Sequence, residues 1–337
     1  MAEIAPSVEG SSTTTAGERG TSASPAVRVR SPRAAWRQRF EILVLAGPAV
    51  LMFVTFVIFP VFMAAYYGFF RWRGFGPATD FVGLQNYRII LTDPLFLSAL
   101  KHNVLIVVLS LIMQGPAAVA FALLLNQNIK GRSLIRVLIF VPYVVSEVIV
   151  GTGWSLMLQY TGALNDLLQK MGLGALQFDW IANANVAIWT LMVIISWKYL
   201  GFAVILMLAG MQSIPDELYE AAAIDGASFW KIQRWITLPL LGPTIRVWAF
   251  LSIIGSLQLF DLVYVIWGQY VSSTAGTSTM ATYMVREGRL AGNYGYGNAV
   301  AVVIFLISLV IALAYQRFVL RRDTEGALTT APGKRSS

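Results

Sequence analysis

Long apolar runs, separated by charged or glycine- and proline-rich stretches, set the plan of this chain. Six are long enough to cross a bilayer as helices: Ile42 to Ala64, Val104 to Leu125, Val137 to Leu158, Ala187 to Leu208, Val247 to Trp267 and Ala299 to Phe318. A span takes about 20 apolar residues. The runs are continuously apolar and do not alternate, which predicts helices and excludes barrel strands. The expected fold class is therefore all-α, a polytopic membrane protein.

Composition supports this. Of 337 residues, 57% are hydrophobic and 12% charged, and the mean hydropathy is +0.65. Soluble domains carry roughly twice that charged share. Residues 1–39 are rich in Ser, Thr, Ala, Gly and Pro, with Arg28, Arg30, Arg33, Arg37 and Arg39 crowding their end. They read as a disordered basic cytoplasmic tail. The apolar run that follows begins too late for a signal peptide and is kept as a span. Residues 40–320 form the expected transmembrane domain, and 321–337 a second disordered cytoplasmic tail.

The net charge of +8 bears on orientation before it bears on nucleic acid, which is not expected as a partner. With the N-terminus inside, the cytoplasmic side receives the arginine-rich tail, then Lys130, Arg132 and Arg136, then Lys231, Arg234 and Arg246, then Arg317, Arg321 and Arg322. Both termini then lie in the cytoplasm of a plasma-membrane protein, as does the polar island between the fourth and fifth runs.

That island, 213–239, reads as two short helices broken at a glycine. Ser213 is expected to cap the first, with Pro215 in its opening turn and Asp216 and Glu217 where a helix N-terminus favours negative charge. Glu220-Ala221-Ala222-Ala223-Ile224-Asp225-Gly226 gives a slim helix with a left-handed stop at Gly226. Ser228 is expected to cap the second helix and Pro239 to end it. A slim acidic helix between spans suits a groove on another protein.

The spacing Glu-Ala-Ala, three residues, Gly, nine residues, Ile-x-Leu-Pro is filled by Glu220, Ala221, Ala222, Gly226, Ile236, Leu238 and Pro239. It resembles the EAA loop of the inner-membrane permeases of binding-protein-dependent ABC importers. Phe81-Val82-Gly83-Leu84-Gln85-Asn86-Tyr87 and the order of segments from about residue 40 to 325 are similar to the sugar-importer branch, the maltose and glycerol-3-phosphate type. The resemblance implies the type I permease fold and a carbohydrate cargo. It also implies coupling to a separate ATPase dimer, a second permease subunit and an extracytoplasmic solute-binding protein. Glycerol-3-phosphate, a polyol or another solute is the alternative cargo; an ion-coupled secondary carrier is an alternative of another class. Where family members carry Gly-Gly-Pro after the fifth span, this chain has Gly268-Gln269-Tyr270, which leaves that turn open.

The chemistry is sparse. No G-x-x-x-x-G-K-[ST] cradle occurs, so ATP hydrolysis is assigned to a partner, and neither an enzyme activity nor a cofactor of its own is expected. The chain has no cysteine and one histidine, His102, which argues against a metal site. Polar groups within spans are costly and tend to face a cavity or one another. The resemblance places the sugar near the midplane, on the spans flanking the loop. Ser196, Lys198, Tyr199, Phe202, Ser256 and Gln258 are thus the path candidates, with the ionisable Glu147 and Asp261. A structural Lys198–Asp261 ion pair, and an interhelical hydrogen bond at Glu147, remain the alternative readings. Asp225, beside Gly226, belongs to the expected ATPase-coupling set.

Overall fold

The computed structural model describes residues 32–127 and 129–320. Most of the expected tails, 1–31 and 321–337, lies outside the described residues. The chain divides into two units, Met1–Ile58 and Phe59–Ser337. In the first, helix α1 (Pro32–Phe53) runs into a π turn at Val54–Ile58. Residues 32–39, assigned above to the tail, are therefore helical. Pro32 suits a first helical position, and Ala34, Ala35, Arg37, Gln38 and Arg39 favour helix. Leu43, Leu45, Phe53 and Phe56 are exposed, as a lipid-facing helix requires.

In the second unit the regular elements among the described residues are helices, joined by loops that include one isolated bridge, Phe70 to Phe81. Helix α2 is Phe59–Tyr67 and α3 is Gln85–Thr92. Helix α4 (Pro94–Leu109) passes through a π turn at Ser110–Gln114 into α5 (Gly115–Leu125). Helix α6 (Arg132–Val144), α7 (Glu147–Met157) and α8 (Ala163–Lys170) precede the long α9 (Ala184–Gln212). Then come α10 (Asp216–Ile224), α11 (Phe229–Ile232) and α12 (Leu238–Leu240). The chain continues with α13 (Gly242–Leu257), α14 (Asp261–Thr274), α15 (Met280–Met284) and α16 (Tyr294–Tyr315).

Among the described residues, five stretches are long and apolar enough to span a bilayer: Leu43–Tyr67, Pro94–Leu125, Ala184–Gln212, Gly242–Gly268 and Tyr294–Leu320. The run from Val137 to Leu158, expected as one span, consists of α6 and α7 meeting at 94°, a bent pair that makes a sixth span if counted as one. Local chemistry explains the bend. Pro142 has no N–H to give, Val145 turns extended (φ −66°, ψ 138°), and Ser146 starts a new helix by accepting from Val148 N at 3.3 Å. Gly268 (φ 66°, ψ −170°) likewise breaks α14 from within, so the turn left open in the sequence is carried by that one glycine.

Helix α9 is the spine, with side chains buried along its length from Ala187 to Met211. Leu191, Ile194 and Ile195 join Ile106, Leu262 and Trp267 in one core cluster. Val204, Met207 and Met211 join Ala118, Ala122 and Trp248 in a second. Between them α6 lies directly on Gly201. A Cβ there would fall onto the Ile139 carbonyl oxygen and 2.8 Å from Phe140 Cα. Small residues allow such close helix approach in membranes. Gly201→Val is expected to destabilise the permease by about 1–3 kcal/mol, since backbone cannot yield as a side chain can; thermal unfolding in detergent checks it.

A third cluster joins Ile90, Phe96, Leu257, Tyr283 and Ala299. Tyr283 donates to Asp93 Oδ2 at 2.6 Å. Burial first, then this bond, pushes its phenol pKa up, so it stays a donor.

Between α13 and α14 the backbone leaves helical form at 258–260. Buried Asn103 serves this break: its Nδ2 donates to Ser256 O (2.7 Å) and Leu257 O (3.3 Å), and its Oδ1 accepts from Met280 N (2.8 Å). Thr279 Oγ1 donates to Leu259 O at 2.7 Å. Carbonyls freed by the break therefore keep partners, as buried backbone groups must.

Candidate functional site

Two places collect the expected site residues. The first is the polar island. Helix α10 is exposed almost throughout; Ile224 at its end is 87% and Trp230 beyond it 76% accessible. Pro215, not Ser213, precedes its first turn, and Ser213 Oγ turns back to donate to Gly210 O (2.7 Å). Ser213 follows α9 directly, so the carbonyls of α9's last turn are the acceptors nearest to its hydroxyl. Ser228 sits at the cap of α11 with no side-chain capping bond.

The glycine stop forms as expected. Gly226 has φ +71°, its N–H donates to Ala223 O (3.0 Å), and Ala227 N–H donates to Ala222 O (2.9 Å). These paired bonds close a helix through a left-handed residue. Pro239 does not end the second helix. A π turn at Gln233–Thr237 precedes it, and α12 continues from there toward α13. The wider turn accommodates a residue that has no N–H and a bulky ring. Tyr219 and Thr237 hydroxyls meet at 3.3 Å and tie the two limbs. Glu220, Ala221 and Asp225 are thereby held exposed, and Ala222 partly buried, on a short arm among the described residues.

The second place is a cavity of about 270 Å³ between α4, α6, α9 and α13. Tyr199, Phe202 and Ser256 line it, with Tyr143, Trp248 and Gln114. Tyr143 and Phe202 stack with centroids 5.1 Å apart and planes at 23°. Ser110 and Ser252 also face it, and Gln114 Nε2 donates to Ser110 Oγ at 3.2 Å. Of the path candidates, Ser196 has a buried hydroxyl without a hydrogen-bond partner among the described residues, and is not in the lining. Gln258 and Asp261 are exposed at the break between α13 and α14.

Lys198 is enclosed behind the cavity wall, its side chain 3% accessible. Its Nζ donates to Val145 O (2.7 Å), Pro142 O (3.2 Å) and Tyr143 O (3.2 Å), the last carbonyls before the α6–α7 bend. Its ion pair is with Glu147 Oε1 at 3.8 Å, not with Asp261. The cause is the bend itself, which turns the carbonyl end of α6 and the amide end of α7 toward α9. A cation belongs at the first and an anion at the second. Glu147 Oε1 also accepts from the Tyr199 hydroxyl at 2.6 Å, so the interhelical hydrogen bond is present.

Sequence reasoning left Tyr143, Trp248, Ser110 and Ser252 out of the path candidates. Ser110 and Gln114 on one span, and Trp248, Ser252 and Ser256 on another, recur at four-residue spacing, each set legible as one face of its own helix.

Residues 114–323 match the family model described as binding-protein-dependent transport system inner membrane component. The chain belongs to that family. This transport-system permease is 34% identical over 278 residues to the probable ABC transporter permease protein PH1215 of Pyrococcus horikoshii, covering 81% of this chain and 94% of the relative. It is 32% identical over 269 residues to the trehalose/maltose transport system permease protein MalF of Thermococcus litoralis, covering 80% and 90%. Among solved structures, a chain of a bacterial ABC transporter involved in import of the acidic polysaccharide alginate superposes with a TM-score of 0.74. It is 26% identical and covers 86% of this chain and 98% of that one. The fold is that of ABC importer permeases, and the permease is a multi-helix membrane subunit of that transport class.

Proposed function

We propose that this permease forms part of the translocation path of an ATP-driven carbohydrate importer and receives work through the 213–239 loop. The observation that carries the reading is the bare helix α10, ended by a left-handed glycine and followed by the last positions of the EAA spacing. Slim alanines at 221–223 let a helix seat deeply in a groove, and Glu220 offers a charge for a cationic partner. That partner is a separate ATPase dimer, which binds the ATP. A second permease and an extracytoplasmic binding protein complete the complex in the plasma membrane, with both termini and the loop in the cytoplasm.

The cavity supports a carbohydrate. Tyr143, Phe202 and Trp248 supply faces for C–H surfaces, while Ser110, Gln114, Ser252 and Ser256 supply hydroxyl and amide partners. The relatives named for trehalose, maltose and alginate point the same way. Proteoliposomes carrying the whole complex are expected to accumulate a saccharide only with ATP inside the ATPase compartment. Uptake driven by an ion gradient without the ATPase would overturn the reading.

A further inference from the structure

We infer that the cavity favours an uncharged saccharide over uronates and sugar phosphates, because the cation and the helix N-terminus beside it are already occupied by the chain itself. This rests on the carbohydrate reading above and narrows it.

Beyond the neutral donors of the lining, three features beside the cavity could single out a carboxylate or phosphate. The first is Lys198. Its ammonium has three hydrogens, and three backbone carbonyls at 2.7–3.2 Å take them. It lies behind the wall formed by Tyr143 and Tyr199, outside the lining. The second is the amide end of α7, since a broken membrane helix offers its N-terminus to anions. Here Ser146 Oγ accepts from Val148 N (3.3 Å), and Glu147 sits in that first turn as a built-in anion. The third is the Tyr199 hydroxyl, whose hydrogen goes to Glu147 Oε1. What it turns to the cavity is a ring and lone pairs, which accept from a sugar hydroxyl and repel an oxyanion.

Around the cavity the charge balance also offers an anion nothing. No described residue in its lining is ionic. Glu147 has one neighbouring cation, and its Oε2 is buried with no hydrogen-bond donor among the described residues. An anion entering beside Tyr199 would lose its hydration in a low-dielectric setting and gain no cation in return, since Lys198 and Glu147 offset one another. A polyol or neutral sugar meets stacked aromatics, serines and an amide. The contrast is with the structurally similar importer of an acidic polysaccharide: a shared fold does not fix the charge of the cargo.

The test is equilibrium binding to the assembled permease–ATPase complex in nanodiscs. The probes are maltotriose and cellotriose, their C6-carboxylate counterparts, and the methyl esters of those acids. Neutral sugars and esters are expected to bind, with the acids weaker by about tenfold or more. Ser252→Lys, which adds a cation to the wall, is expected to reverse that order. Acids binding as tightly as their esters would overturn the inference and leave the carbohydrate reading standing. Binding of none of the saccharides in any charge state would overturn both.

Discussion

Lys198→Met is expected to cost the permease about 3 kcal/mol or more of stability, among the largest effects of any single substitution outside the coupling loop. The substitution preserves length and apolar bulk, so packing against α6 changes little. What it removes is the donor to Pro142, Tyr143 and Val145 carbonyls and the counter-charge of Glu147. Three buried acceptors and a carboxylate 28% accessible are left behind. The lower end of the range for a broken buried pair applies, because that carboxylate keeps some access. Adding Glu147→Gln removes the stranded charge and is expected to recover part of the loss. A double-mutant cycle on thermal unfolding in detergent measures the coupling. Additive losses would mean that the two side chains do not act as a pair.

Gly226→Val is expected to lower ATP-driven uptake by about tenfold or more while the permease remains inserted and assembled. The residue has φ +71°, and among the described residues beyond its chain neighbours no heavy atom lies within 4 Å of where a Cβ would be. Valine therefore creates no clash; it carries about 1–2 kcal/mol of backbone strain, enough to shift the arm out of register. Asparagine tolerates that conformation, so Gly226→Asn is expected to keep most of the uptake. Equal loss in both variants would point to space and not to backbone conformation as the reason for glycine.

The two sites differed in how far the sequence revealed them. The proposed coupling arm is a local object, and its spacing from Glu220 to Pro239 was readable from one stretch of chain. Its finer detail was not. Ser213 and Pro239 have the residue types of a cap and a stop, yet the end of α9 and a π turn assign them other work. The cavity is a long-range object. Tyr199, Phe202 and Ser256 were found because they lie on the spans beside the arm. Tyr143 was missed because it faces the cavity only once α6 and α7 bend at Val145, and hydrophobicity alone cannot tell a bent pair from a straight span. Lys198 stood out as an intramembrane cation. Its partner could not be read, since the bend that turns Glu147 toward it appears only in the fold.

A cysteine-free chain makes the decisive measurement direct. Glu220→Cys gives a single thiol on α10, to be challenged in intact cells with a membrane-impermeant maleimide and in inside-out vesicles with a cross-linker to the ATPase. The account predicts protection in cells, cross-linking in vesicles, and a yield that changes when ATP is added. Labelling of that thiol from outside intact cells would contradict it.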